Sequence, residues 1–176
     1  NAAFMDSKVT AISMPNTITS IGQAAFANCS ELETIEIPDS VTTIGRDAFS
    51  NCNKLIYYEH YNALYLGNTN NHYLVLIKTL VPSITYITIH NSTRFIHSSA
   101  FYDCDSLTSV TIPDGVTEIG ERAFYNCDSL KSVIIGDSVT KIDIFTFYRC
   151  ESLTSVTIGD SVETISASAF YGCSSL

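Results

Sequence analysis

Cysteine is the most reactive residue type in this chain, and its six copies are not scattered. Cys29 and Cys52 are 23 residues apart, and Cys104, Cys127, Cys150 and Cys173 follow one another at the same interval. Thiols can serve as nucleophiles, as soft-metal ligands or as disulfide partners. A metal site or redox centre calls for a close pair such as C-x-x-C, which is absent here. If successive 23-residue units stack, neighbouring cysteines lie about 5 Å apart, a separation that disulfide geometry permits. Side chains stacked in register, however, point alongside one another rather than toward each other. The expected state is therefore the buried free thiol, a small apolar core residue.

The other chemically capable groups are no better placed for a reaction. His60, His72, His90 and His97 belong to no Ser/His/Asp, Cys/His or H-E-x-x-H pattern, so no catalytic residue is assigned. Two rows of acids recur at the interval of the cysteines: Asp114, Asp137 and Asp160, and Asp105, Asp128 and Glu151. Carboxylates stacked this closely could share Ca²⁺. The favoured reading is that Asp sits at turns because its side chain caps nearby backbone N–H groups. No metal and no cofactor are expected, and the chain is read as non-enzymatic.

What must position these residues is a repeated unit, complete in Leu107–Ser129: L-x-x-V-x-I-P-D-x-V-x-x-I-G-x-x-A-F-x-x-C-x-x. Copies begin at Val9, Leu32, Leu55, Ile84, Leu107, Leu130 and Leu153. Val110 and Ile112 alternate with polar residues, as in a strand with one buried face. Pro113-Asp114-Gly115 supplies a turn, and Val116 with Ile119 marks a second extended segment. Ala123, Phe124 and Cys127, spaced i, i+1, i+4, predict one inward-facing helical turn. A single unit cannot close a core, but stacked units can. The third copy is longer: Leu55 to Ile84 spans 29 residues. Within 55–83, Ala63–Gly67 and His72–Lys78 read as two strands joined by a polar turn, a hairpin insertion.

This pattern resembles the BspA-type, or Treponema pallidum-type, leucine-rich repeats, carried by the Leu-Val-Ile-Pro strand, the Val-x-x-Ile-Gly segment and the Ala-Phe-x-x-Cys turn from Val9 to Leu176. The resemblance implies an α/β leucine-rich-repeat solenoid: right-handed, β-rich, with parallel strands in one continuous sheet and short helical turns opposite. It also implies a surface or secreted protein, extracellular in location, that adheres to host extracellular or cell-surface proteins. One domain, 1–176, is expected, a fragment of a longer array. Departures such as His90, Gly136 and Gly159 for Pro, and His97, Asp143 and Ser166 for Gly, affect single turns.

Composition narrows the partners. A net charge of −9 disfavours an unassisted nucleic-acid surface. No apolar run approaches the roughly 18 residues of a spanning helix, so no membrane insertion is expected within these residues. The N-terminal residues carry no signal-peptide pattern. The partner is thus expected to be a protein, met by the solvent side of the repeated strand and by the hairpin. Candidate contacts are Glu36, Tyr57, Glu59, Tyr86 and Thr88 on the strands and Tyr65 and Tyr73 on the insertion, because rigid tyrosines offer large area at low entropic cost. The alternative is a structural role, with self-association through the solenoid ends.

Overall fold

The computed structural model describes all residues from Asn1 to Leu176. Each regular copy but the fourth contributes two short parallel strands. Copies one and two supply β1 (Ala11–Ser13), β2 (Ser20–Ile21), β3 (Thr34–Glu36) and β4 (Thr43–Ile44). The irregular copy and copy four supply β5 (Tyr58–His60), β6 (Ala63–Leu66), β7 (Val75–Thr79) and β8 (Phe95–Ile96). Copies five to seven supply β9 (Ser109–Ile112), β10 (Glu118–Ile119), β11 (Ser132–Ile135), β12 (Lys141–Ile142), β13 (Ser155–Thr157) and β14 (Thr164–Ile165).

The pairing is parallel and in register with the repeat. Val110 lies beside Val133 and Val133 beside Val156. Like residues therefore stack into rows, at the interstrand spacing of roughly 4.8 Å. In β9 burial alternates, Val110 and Ile112 facing in, Ser109 and Thr111 facing out. That is the half-buried strand the sequence predicts.

The helical turn after each Ile-Gly is not formed. In its place is a spiral of overlapping turns, in which Ala25, Ala27 and Cys29 donate their N–H groups to the carbonyls of Gly22, Ala24 and Phe26 at 3.1, 3.2 and 3.1 Å. Two residues per spiral take a left-handed backbone, for example Ala24 (φ 51°) and Asn28 (φ 60°), which no α-helix accommodates. The alternate N–H groups point outward along the stack. Phe26 and Asn28 donate to Ala48 and Ser50 of the next copy at 2.9 and 2.8 Å. The spiral thus satisfies its backbone between copies, whereas a helical turn would satisfy it only within itself. Its phenylalanines stack, with Phe101–Phe124 and Phe124–Phe147 ring centroids 4.6 and 5.1 Å apart. Residues 1–7 form one more such spiral: Phe4 stacks on Phe26 at 5.4 Å, and Ala2, Phe4 and Asp6 donate to the carbonyls of Gln23, Ala25 and Ala27.

Nor is there one continuous front sheet. The first strands fall into a pair, β1–β3, and a trio, β9–β11–β13; copy four contributes only the bridge between Tyr86 and Ser109. The second strands of the C-terminal copies instead run on through the irregular copy, in the order β14-β12-β10-β8-β7-β6-β5. The hairpin explains the break. β5 pairs antiparallel with β6, and β6 with β7, so the insertion stands as a blade between the two groups of copies. Its alternating side chains feed two separate cores. Leu66, Val75 and Ile77 join an 18-residue core with copies one and two, while Ala63, Tyr65 and Leu76 join a 26-residue core with copies four to seven.

Candidate functional site

The strands of the blade decide which aromatic groups reach solvent. Along β5, Tyr57 and Glu59 lie on the side opposite Tyr58 and His60. Tyr58 stands over Tyr65 and His60 over Ala63 across the β5–β6 ladder. On that face the rings gather. Tyr58 stacks on His72 with centroids 4.1 Å apart and planes 1° from parallel, and Tyr73 stacks on His90 at 4.1 Å. His60 meets the edges or tilted faces of Tyr61, His90 and Tyr73 at 4.6, 4.9 and 5.3 Å. Three of the four histidines are thereby collected in one cluster.

Its electrostatics favour the neutral imidazole at His60. Burial, and then the nearby His90, lower the pKa of His60. Ser92 donates its N–H to His90 Nδ1 at 3.1 Å, which leaves the proton of the neutral ring on Nε2. The backbone N–H of His90 donates to the Tyr65 hydroxyl at 3.4 Å, and burial pushes that phenol up to about 12. The cluster thus presents stacked apolar faces with hydroxyl and imidazole edges.

The sequence candidates are scattered by this arrangement. Tyr86 is 67% exposed, and Glu59 and Thr88 are open to solvent. Tyr57 is half-buried beneath the ammonium of Lys78, 5.8 Å from the ring centroid, and burial raises its hydroxyl to about 12. Tyr65 is completely buried and is a core residue, not a contact. Tyr73 is half-buried, wedged between Tyr65 and His90. The Glu36 carboxylate accepts the N–H of Thr69 at 3.2 Å and so ties the hairpin tip to copy two.

Groups not chosen from sequence complete the surface: exposed Tyr58 and Tyr61, with His72. A further row, Tyr102–Tyr125–Tyr148–Tyr171, exposed at its two ends and half-buried between, has ring centroids 5.1, 4.7 and 5.1 Å apart. Its signal, a Tyr after Phe in four successive copies, was present in the repeat itself.

The cysteines and one of the two acidic rows make hydrogen bonds between copies. All six thiols are free. Five donate to the carbonyl of a Phe in the preceding copy, as Cys127 does to Phe101 at 3.1 Å and Cys150 to Phe124 at 3.2 Å. Burial pushes the Cys52 thiol up to about 11, far from a reactive thiolate. Asp114 and Asp137 accept the N–H groups of Asp137 and Asp160 one copy on, at 3.4 and 3.3 Å. No three His, Cys, Asp or Glu side chains converge as a metal site would require.

Stacked 23-residue coils with two strand rows, one turn-spiral row and rows of Leu, Ile, Phe and Cys define a leucine-rich-repeat solenoid. The chain belongs to the family described as BspA type leucine rich repeat region, whose model matches six copies over residues 1–69 and 80–176. The unmatched stretch falls within the blade. Among solved structures, a leucine-rich repeat protein of T. pallidum is 28% identical, covering 99% of this chain and 69% of its own, with a TM-score of 0.49. A leucine-rich cell surface protein of Faecalibacterium prausnitzii is also 28% identical, covering 96% and 58%, with a TM-score of 0.53. The chain therefore spans little over half of the second protein. No curated protein matches it in sequence.

Proposed function

We propose that the chain is a non-catalytic protein-binding module of an extracellular or cell-surface protein, and that it adheres to its partner through the aromatic face of the blade. The observation that carries this reading is the set of exposed tyrosines, Tyr58, Tyr61 and Tyr86, at 38, 63 and 67% exposure, on or beside a hairpin anchored in two cores. Large rings on an element fixed before encounter contribute contact area without the ordering cost of a flexible loop. The surface setting is supported by the family and by the description of the Faecalibacterium prausnitzii protein as a cell surface protein.

The test is binding to a panel of purified extracellular and cell-surface proteins, comparing the wild type with a Tyr58→Ala/Tyr61→Ala/Tyr86→Ala variant. Exposed aromatic anchors of this kind each contribute about 1–2 kcal/mol, so the triple variant should lose at least 100-fold in affinity. Equal binding by the two proteins would remove the blade face as the contact surface.

A further inference from the structure

The irregular copy lacks the G-x-x-A-F-x-x-C segment; residues 79–83 stand where a turn spiral would run. Its absence leaves an interrupted hydrogen-bond ladder on the side of the solenoid away from the front strands. In five of the spirals, the N–H of the Phe and of the residue two places on are both taken by carbonyls of the next copy, at 2.7–2.9 Å. Phe26 and Asn28 onto Ala48 and Ser50, and Phe124 and Asn126 onto Thr146 and Tyr148, are examples. In copy two the corresponding donors are Phe49 and Asn51, and no protein acceptor meets either N–H.

The two sides of the break are not equivalent. On the far side the chain refills two of its three acceptors: Thr79 donates to the Ala100 carbonyl at 3.1 Å, and the His97 ring meets the Ser98 carbonyl at 3.1 Å. On the near side one donor, the N–H of Asp47, is taken by the Ser98 hydroxyl at 3.1 Å. Between the walls lies a cleft of about 320 Å³, lined by Phe49, Asn51, Tyr57 and Lys78 among others. At its mouth Lys78 has no carboxylate within ion-pair distance. Asp47 also lines the cleft, its carboxylate paired with Arg46 at 3.3 Å; beyond it the cleft offers donors and a cation, and what it lacks is an acceptor of matching spacing. The other copies display that acceptor: two peptide carbonyls two residues apart.

We propose that this cleft binds a short peptide segment of a partner protein, two of whose backbone carbonyls accept the N–H groups of Phe49 and Asn51 while an acidic group meets Lys78. Recognition through main-chain bonds at an unfilled ladder is a strand-addition mode, tolerant of sequence apart from the acidic position.

The experiment follows backbone amide resonances of the full chain during titration with a pool of N-acetylated tetrapeptides ending in Asp and randomised elsewhere, beside a pool ending in Asn-amide. The expected result is a saturable downfield shift at Phe49 and Asn51, with Phe26 and Asn28 unmoved. The Asn-amide pool and a Lys78→Glu variant should each weaken binding by about tenfold. Filling the cleft with Ser50→Trp should abolish the shift. No saturable shift at these two amides in the folded protein at millimolar peptide, meaning a cleft that holds water only, overturns the proposal. So does an undiminished shift in the Ser50→Trp variant. The Tyr58→Ala/Tyr61→Ala/Tyr86→Ala variant should titrate as the wild type does, which separates this site from the blade face.

Discussion

Arg149 holds a place that Asn28, Asn51 and Asn126 hold in other copies, a left-handed position at the end of the turn spiral, with φ of 57°. Asparagine suits it because it tolerates that backbone and also because its amide reaches the next copy, as Asn51 Nδ2 donates to Asn28 Oδ1 at 2.9 Å. Beside Arg149 the row breaks, and Asn126 Oδ1 is buried without a donor. Arg149→Asn should supply the donor and relieve the backbone, stabilising the protein by about 1 kcal/mol in urea denaturation. An unchanged or lower midpoint would show that the amide row carries no stability. A second residue gives a pH dependence. Desolvation lowers the pKa of His97 from 6.5 to about 4, with opposing contributions from Ser98 and Asp47. The folded state thus resists a proton that the unfolded chain accepts. Stability from this group is complete above about pH 6.5 and falls as pH drops toward 4, by roughly 3 kcal/mol over the window. Burial raises the carboxyl of Glu118, which acts in the opposite sense at the acid end. Comparing urea midpoints at pH 7 and pH 4.5 isolates the histidine: His97→Gln should flatten much of the decline, and an identical slope would exclude His97 as its source.

At the scale of the element, the strands are legible in the sequence and the turn spiral is not. Val110 and Ile112 announce a strand by alternation, and the paired register confirms it. The segment from Gly120 to Cys127 has apolar spacing that fits a helical turn equally well, so periodicity could not decide between them. The deciding signal was the Asn or Asp immediately before Cys29, Cys52, Cys104 and Cys127, a residue type that favours a left-handed backbone and interrupts a helix. The hairpin was legible from its turn residues, but its setting was not, because no local pattern tells whether an insertion lies on a solenoid or between its coils. Tyr65 was read as surface for that reason. Asn68 shows how firmly the tip is held. Its Nδ2 donates to the Ile37 carbonyl and to Asp39 Oδ1, both at 2.8 Å, and its Oδ1 accepts the N–H groups of Asn70 and Asn71 at 2.9 Å. A Cβ at Gly67 would collide with the Asn71 carbonyl, so the tip also requires glycine there. Asn68→Ala removes the amide that joins the tip to copy two and should cost about 2–3 kcal/mol, with amide exchange at Thr69–Asn71 accelerated first. Wild-type exchange at the tip in that variant would mean that the strands alone hold the hairpin.

For the whole molecule, the blade turns one array into two coupled bodies. An uninterrupted solenoid passes stability from each coil to the next through identical interfaces. Here the coupling passes through β6 and β7, whose neighbouring residues face different cores, and through a few direct contacts such as the Arg46–Glu121 ion pair at 3.0 Å. That pair is partly exposed, with both side chains held by other bonds, and adds at most about 1 kcal/mol. The blade is therefore the main conduit. Val75 and Leu76 test this most directly, since both are completely buried, adjacent in sequence, and divided between the 18-residue and 26-residue cores. Each truncation to Ala should cost about 2–4 kcal/mol. Native-state hydrogen exchange in low urea reads where that loss falls. Val75→Ala should first lower protection around Ile35 and Ile44, and Leu76→Ala should first lower it around Val110 and Val133. The smaller N-terminal core should open before the larger one in the wild type. If both substitutions lower protection uniformly along the chain, the two cores unfold as one cooperative unit, and the blade joins the halves of the array instead of partitioning them.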